Sequence, residues 1–150
     1  MLEDSSIKKI GQNIKFDFIV LFKHGITIST MEDTMLMSYV LDAGKNRHNM
    51  DSLSEIHLNH KTIAFKDLVG TGKKEINFKD VDVEKAKDYA AEDADITFRL
   101  YKKFQKILKD EKMVNIYELF EKPMIKILAF MEIEGIKIDN KFLKILSSKY

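Results

Sequence analysis

The chain has no cysteine and no tryptophan, a single proline and only six glycines in 150 residues. The missing cysteine excludes disulfides, thiolate zinc sites and cysteine nucleophiles. No apolar run approaches the ~20 residues that span a bilayer. The first residues, MLEDSSIKK, lack the apolar core of a signal peptide, so a cytoplasmic location is expected. An excess of either charge is also lacking. The 25 basic and 24 acidic residues leave a net charge of +1, which excludes a histone-like electrostatic binder but not a local basic groove. Only two of the basic residues are Arg, Arg47 and Arg99, so bidentate contacts to phosphate or base are scarce. There is no internal repeat. With 45% apolar and 33% charged residues, the chain reads as one soluble globular domain, or one domain plus part of another.

The alternation at Ile7–Gly11 predicts a strand, and that at Gly25–Ser29 a second. Between them, Phe16, Ile19 and Val20 recur at helical spacing up to His24-Gly25. Asp33-Thr34 can cap a helix carrying Met35, Leu36, Tyr39 and Val40. Gly44–Asn49 reads as a polar loop, and Ser52 with Glu55 as a capping box. Residues Lys66–Asp80, with two Gly and four Lys, read as an exposed loop.

The strongest element spans about Val83 to Glu111. At about 100° per residue, Ala86, Ile96, Leu100, Phe104, Ile107 and Leu108 fall within ~60° of Asp93, and Tyr89 within ~40°. Glu92, Asp88 and Asp95 fall toward solvent. Asp93 is thus the acid in this stretch expected on the buried face, where a carboxylate must be paired, protonated or metal-bound. Two readings fit: Asp93 ligates a divalent cation while Tyr89 holds a water, or Asp93 accepts a hydrogen bond at a helix boundary. A second site, Asn13-Ile-Lys-Phe16-Asp17, follows the first strand. Asn13 there can be a helix cap, with Asp17 complementing the helix dipole.

Taken together, N-x2-aromatic-D after a short strand and Y-x3-D on a long helix resemble the 3′→5′ exonucleases of the DEDD superfamily. The fuller strings IGQNIKFD, DTMLMSYVLDAGKNRHNMDSL, HKTIAFKDLVGTGKKEINF and YAAEDADITFRLY are similar to the proofreading exonuclease domain of the bacterial DNA polymerase I family (family A). The tail EKPMIKILAFMEIEGIKID is similar to the start of that family's polymerase (thumb) domain. The resemblance implies an α/β, ribonuclease H-like fold lacking its first strands, with residues 1–112 as a partial exonuclease domain and 113–150 as helices opening the polymerase domain. The family uses four carboxylates to hold two divalent cations, Mg²⁺ or Mn²⁺, about 4 Å apart. By resemblance, Asp93 ligates one, Tyr89 orients the attacking water, and Asp17 positions the other. Gln12, Asn13 and Phe65 would lie near a frayed single strand, Phe65 stacking on a base, and Arg47 would contact phosphate. The partners implied are a single-stranded DNA 3′ end and primer–template DNA. The parent enzyme would be a DNA-directed DNA polymerase with 3′→5′ exonuclease activity, acting in replication and repair.

One departure stands out. The family's Asp-x-Glu motif belongs upstream of Gly11, and the chain here starts ten residues before it. Its one Asp-x-Glu, Asp82-Val83-Glu84, sits at a helix start and reads as a cap. Two of four metal ligands are therefore not among these residues, so weak or no metal binding and little turnover are expected of them alone. An exposed strand edge near Ile7–Gly11 is expected to self-associate or pair with another segment. Two further hypotheses are kept: a ribonuclease D-like RNA trimmer, and a non-catalytic DNA-binding or structural remnant. His57-x2-His60 reads as a surface pair, Gly70–Lys74 as a mobile lysine-rich loop, and Met31–Met37 as core. In the tail, Phe120, Met124, Ile127, Leu128 and Met131 form an apolar stripe, Pro123 marks a helix start or kink, Gly135 ends that helix, and Asp139 caps the next.

Overall fold

The structure, a computed structural model, describes residues 1–72 and 75–149. The Lys73-Lys74 part of the lysine-rich loop lies outside the described residues. Two short strands, β1 (Lys9–Gly11) and β2 (Met31–Asp33), pair in parallel, with Ile10 opposite Glu32. Gly25–Ser29 is not a strand, contrary to its alternating pattern. Its polar groups are taken by the N-terminal segment: Thr27 N–H donates to Glu3 Oε1 at 3.0 Å and Ser29 Oγ to the Glu3 carbonyl at 2.9 Å. The ladder begins only afterwards, where Lys9 N–H donates to Thr30 O at 2.9 Å. Because Lys9 bonds toward β2, the alternation of a parallel ladder turns the Ile10 N–H and C=O toward the other edge. No third strand lies there among the described residues.

Helix α1 (Ile14–Lys23) follows β1 directly. A Cβ on Gly11 would come within 2.9 Å of the Ile14 side chain, so this tight strand-to-helix passage requires glycine. The expected helix forms; its buried face is Ile14 and Phe18, with Ile19 packed against that core, while Phe16 and Val20 are exposed. Helix α2 (Thr34–Asp42) is capped by Asp33, as expected. Helix α3 (Met50–Leu58) is capped by Asn49, which accepts from Ser52 N–H. The predicted Ser52–Glu55 box does not form, because the helix starts a turn earlier. The predicted loop 66–80 contains a short helix, α4 (Phe65–Val69), and a 3₁₀ turn at Phe78–Asp80.

Helix α5 (Val83–Asp110) spans 28 residues and is capped by Asp82, so the Asp82-x-Glu84 string is a cap. Its stripe of Ile96, Leu100, Phe104 and Leu108 is buried, with Met37 of α2 and Leu53 of α3 packed against it. The chain continues through α6 (Val114–Ile116), a π-helical turn (Tyr117–Glu121), α7 (Lys122–Glu134) and α8 (Asn140–Lys149). Pro123 sits in the first turn of α7, Gly135 ends that helix at φ 71°, and Asp139 caps α8. Ile125 and Ala129 of α7 pack into a second core with Ile14 and Phe18 of α1. The stripe Phe120, Met124, Ile127, Leu128 and Met131 is exposed, with Met124 and Leu128 flanking Ile125 at a cleft that Asn13 and Asp33 also line. Met31 and Met37 are core, as expected.

Candidate active site

Asp17 and Asp93 line one cleft of about 550 Å³. Asp17 is in the first turn of α1, immediately after β1. Asp93 lies ten residues into α5, on the wall formed by Ala94, Thr97 and Phe98, and Gly11 and Gln12 close the end of β1. The strand-to-helix passage at Gly11 delivers one acid, and the helical stripe of α5 delivers the other. Two motifs separated by some seventy residues thus meet at one place.

Their environments differ. Asp17 is exposed, yet its carboxyl is held above the usual range, chiefly by desolvation. Asp93 is half-buried, and its Oδ1 is buried with no hydrogen-bond partner among the described residues. Burial pushes its carboxyl upward, the Tyr89 hydroxyl nearby works against that, and the charges of Glu92 and Asp51 add to it. Tyr89, one turn earlier, has its hydroxyl pushed up to about 12 by burial first and then by the charge of Asp93. It is a neutral donor over the physiological range. An unsatisfied buried carboxylate oxygen is expensive, and a cleft lined by two carboxylates suits a hard, oxygen-preferring cation. Among the described residues no cluster of three or more His, Cys, Asp or Glu could hold a metal. Among the described residues, Asp17 and Asp93 are the acids that line this cleft.

The other predicted residues lie around this cleft or apart from it. Gln12 lines it, but its amide donates to the His48 carbonyl at 2.8 Å, and its carbonyl accepts from the Thr34 hydroxyl. Asn13 precedes α1 in the left-handed region (φ 58°), where Asn is tolerated. Its side chain makes no cap. Asp33 does that work instead, accepting from Asn13 N–H at 3.1 Å and Ile14 N–H at 2.9 Å while also capping α2. Phe65 stacks on Phe78, with centroids 5.8 Å apart, and approaches Tyr89 at 6.1 Å. Phe65 and Phe78 are 49% and 41% exposed, which leaves an aromatic wall open to a flat partner. Arg47 is exposed in the 44–49 loop.

Sequence reasoning missed three residues here. Phe78 falls in a stretch whose composition reads as a loop, though an aromatic among lysines is itself a signal. Asp33 was read as a cap for one helix, and nothing local reveals the second. Glu92, expected toward solvent, is instead tied to the loop after α3: Ile63 N–H donates to its Oε2 at 2.6 Å, and its Oε1 meets His60 Nε2 at 2.7 Å.

A 3′-5′ exonuclease family model matches residues 1–109, and the chain belongs to that family. DNA polymerase I of Rhizobium leguminosarum is 44% identical over 149 residues, covering 99% of this chain and 15% of that protein. DNA polymerase I of Pseudomonas aeruginosa is 40% identical over 151 residues, covering 98% and 16%. The chain thus spans about one-sixth of the length of these relatives. Among solved structures, the POL domain of Pol1 from M. smegmatis, in complex with a DNA primer-template and dNTP, matches with a TM-score of 0.78. That match has 21% identity and covers 99% of this chain and 23% of that one, a likeness of fold. The architecture is a mostly helical α/β one. The coverage of these relatives reaches into the tail, which speaks against the ribonuclease D-like alternative.

Proposed function

We propose that residues 1–112 are part of a metal-dependent 3′→5′ exonuclease domain of ribonuclease H-like fold, and that 113–150 open a polymerase domain. The parent reaction is hydrolytic removal of mismatched nucleotides from a DNA 3′ end within a DNA polymerase. One observation carries this reading: Asp93 Oδ1, buried and unpartnered, in a cleft that Asp17 also lines. Asp93 and Asp17 would hold divalent ions, Mg²⁺ or Mn²⁺. When bound, such ions lower the pKa of a water and neutralise charge on the phosphoryl oxygens. Asp93 supplies the anionic oxygen, and Asp17 supplies the second carboxylate from the α1 side. Tyr89, protonated near neutral pH, donates a hydrogen bond that orients the attacking water.

Phe65 offers a face to the terminal base. Gln12, fixed by His48 and Thr34, shapes the floor at the end of β1. Asn13 stands one helical turn before Asp17 in sequence, and Arg47 supplies a cation for phosphate. The free edge of β1 is available to a further strand, either one bearing the Asp-x-Glu carboxylates or one from a second copy.

The test is trimming of a 5′-labelled single-stranded oligonucleotide in Mg²⁺ or Mn²⁺. Three proteins are compared: this chain, this chain fused behind the Asp-x-Glu segment of a curated relative, and that fusion with Asp93→Ala. The fusion should trim, while the other two should be at least ~10²-fold slower, the scale on which losing one group that stabilises transition-state charge acts. Robust trimming by the chain alone would refute the incomplete site. No trimming by the fusion would refute the exonuclease reading.

A further inference from the structure

The loop joining α3 to α4 is pinned at several points. Ser54 Oγ donates to the His60 carbonyl at 2.8 Å, and Thr62 Oγ1 donates to Asp51 Oδ1 at 2.6 Å. Glu92 adds the tie to α5: Oε1 to the His60 ring and Oε2 to the Ile63 amide. Both oxygens of this carboxylate are spoken for, and its side chain is only 17% exposed. Although it neighbours Asp93 in sequence, Glu92 is therefore committed to the loop rather than offered to a cation. Two residues beyond Ile63 stands Phe65, whose ring stacks on Phe78 and leans on Tyr89. Tyr89 itself stands one helical turn before Glu92 on α5.

We infer that Glu92 is a positioning residue. It latches the 60–63 segment to α5, and so sets the Phe65–Phe78–Tyr89 wall at the height of Asp93, where it receives the unpaired base at the end of a single strand. This rests on the exonuclease reading above and adds to it a residue and a task. Phe78 belongs to the same device as the backing ring that keeps Phe65 in plane. Without the latch, the amide of Ile63 turns to water and Phe65 loses its fixed distance from the α5 wall. The base then stacks on a moving partner.

The test uses this chain with a single-stranded oligonucleotide carrying 2-aminopurine at its 3′ end, in Ca²⁺. Stacking quenches the fluorophore, so quench amplitude reports the wall, and its concentration dependence reports affinity. Glu92→Ala should weaken binding about tenfold, the scale of one lost base–aromatic stack, and should cut the quench amplitude. Glu92→Gln, which keeps an acceptor for Ile63, should restore both to within about twofold. Phe65→Ala should match Glu92→Ala, and the double variant should be no worse than Phe65→Ala alone, because both remove the same stack. A purely structural glutamate would give additive effects instead. Hydrogen exchange at the Ile63 amide should accelerate in Glu92→Ala and not in Phe65→Ala. If Glu92→Ala does not fold, His60→Ala removes one arm of the latch and should show the same non-additivity with Phe65→Ala. Additive effects, or an unchanged quench in Glu92→Ala, overturn the latch while leaving the exonuclease reading intact. Absence of any quench in the unmodified chain overturns the aromatic wall as the base-receiving surface, and the exonuclease reading is decided separately by trimming in the fusion.

Discussion

The Tyr117 hydroxyl accepts a hydrogen bond from the Asp33 amide at 3.0 Å, and its own proton goes to Glu32 Oε2 at the same distance. One phenol from the tail thus closes the outer edge of β2. Glu32, 3% exposed, also pairs with Lys122 at 2.9 Å and Lys8 at 3.3 Å. Residues beyond 112 therefore contribute to the stability of the body before them. Tyr117→Phe should cost about 1–3 kcal/mol, because it leaves a buried amide unsatisfied. Urea unfolding at neutral pH measures this, and a loss below ~0.3 kcal/mol would show the hydroxyl to be dispensable.

Asp33 caps two helices with one carboxylate, serving Asn13 and Ile14 at α1 and Met35 and Leu36 at α2. Asp33→Ala should therefore cost about 2–4 kcal/mol, roughly two caps' worth. Asp33→Asn, which keeps one acceptor, should cost less. Denaturant midpoints for the two variants give the comparison. A loss near that of a single cap would mean that the α1 contacts carry no weight.

Asp93 holds its charge at a cost. Its carboxyl is raised in the folded chain, chiefly by burial, so the folded state binds protons more readily than the unfolded one. The folded chain therefore carries a penalty above the raised value, which is relieved as pH falls through it. Asp93→Asn should raise thermal stability at pH 7, by less than about 1 kcal/mol because the half-exposed group is screened. The gain should vanish near pH 3. Melting curves across pH check the sign, and a destabilised Asn variant at pH 7 would contradict it.

Gly11 allows β1 to run straight into α1. Gly11→Ala places a Cβ 2.9 Å from Ile14, a core side chain that cannot easily yield. It should destabilise by about 1–3 kcal/mol, the usual range for overpacking, and shift the α1 wall that carries Asp17. Thermal unfolding measures the first effect. An unchanged melting temperature would contradict the tight passage.

The long helix was legible because its apolar stripe is continuous over many turns, and Tyr89 and Asp93 came with it. The caps at Asp82 and Asp139 and the stop at Gly135 are local chemistry and were legible for that reason. The strand at Met31–Asp33 was not, because its register is set by partners twenty residues away, while the alternation at Gly25–Ser29 is local and misleading. The buried face of α1 is not legible locally, because Phe16 and Val20 are as apolar as Ile14 and Phe18, and only the arrival of Ile125 and Ala129 from α7 selects the latter pair. Glu92 was sent to solvent by the helical wheel, which has no knowledge of the loop that comes to meet it. The meeting of Asp17 with Asp93 was anticipated through the family motifs, not through spacing, since neither residue's surroundings alone identify the other.

On the proposed reading, Asp17 and Asp93 share one cation-binding cleft. Paramagnetic broadening of backbone amide resonances during a Mn²⁺ titration of this chain tests it most directly. Broadening should begin at Gly11, Gln12 and Asp17 and at Asp93, Ala94 and Thr97, and it should disappear from both sets in the Asp17→Asn/Asp93→Asn variant. Broadening confined to one of the two sets, or unchanged in the double variant, would contradict the account.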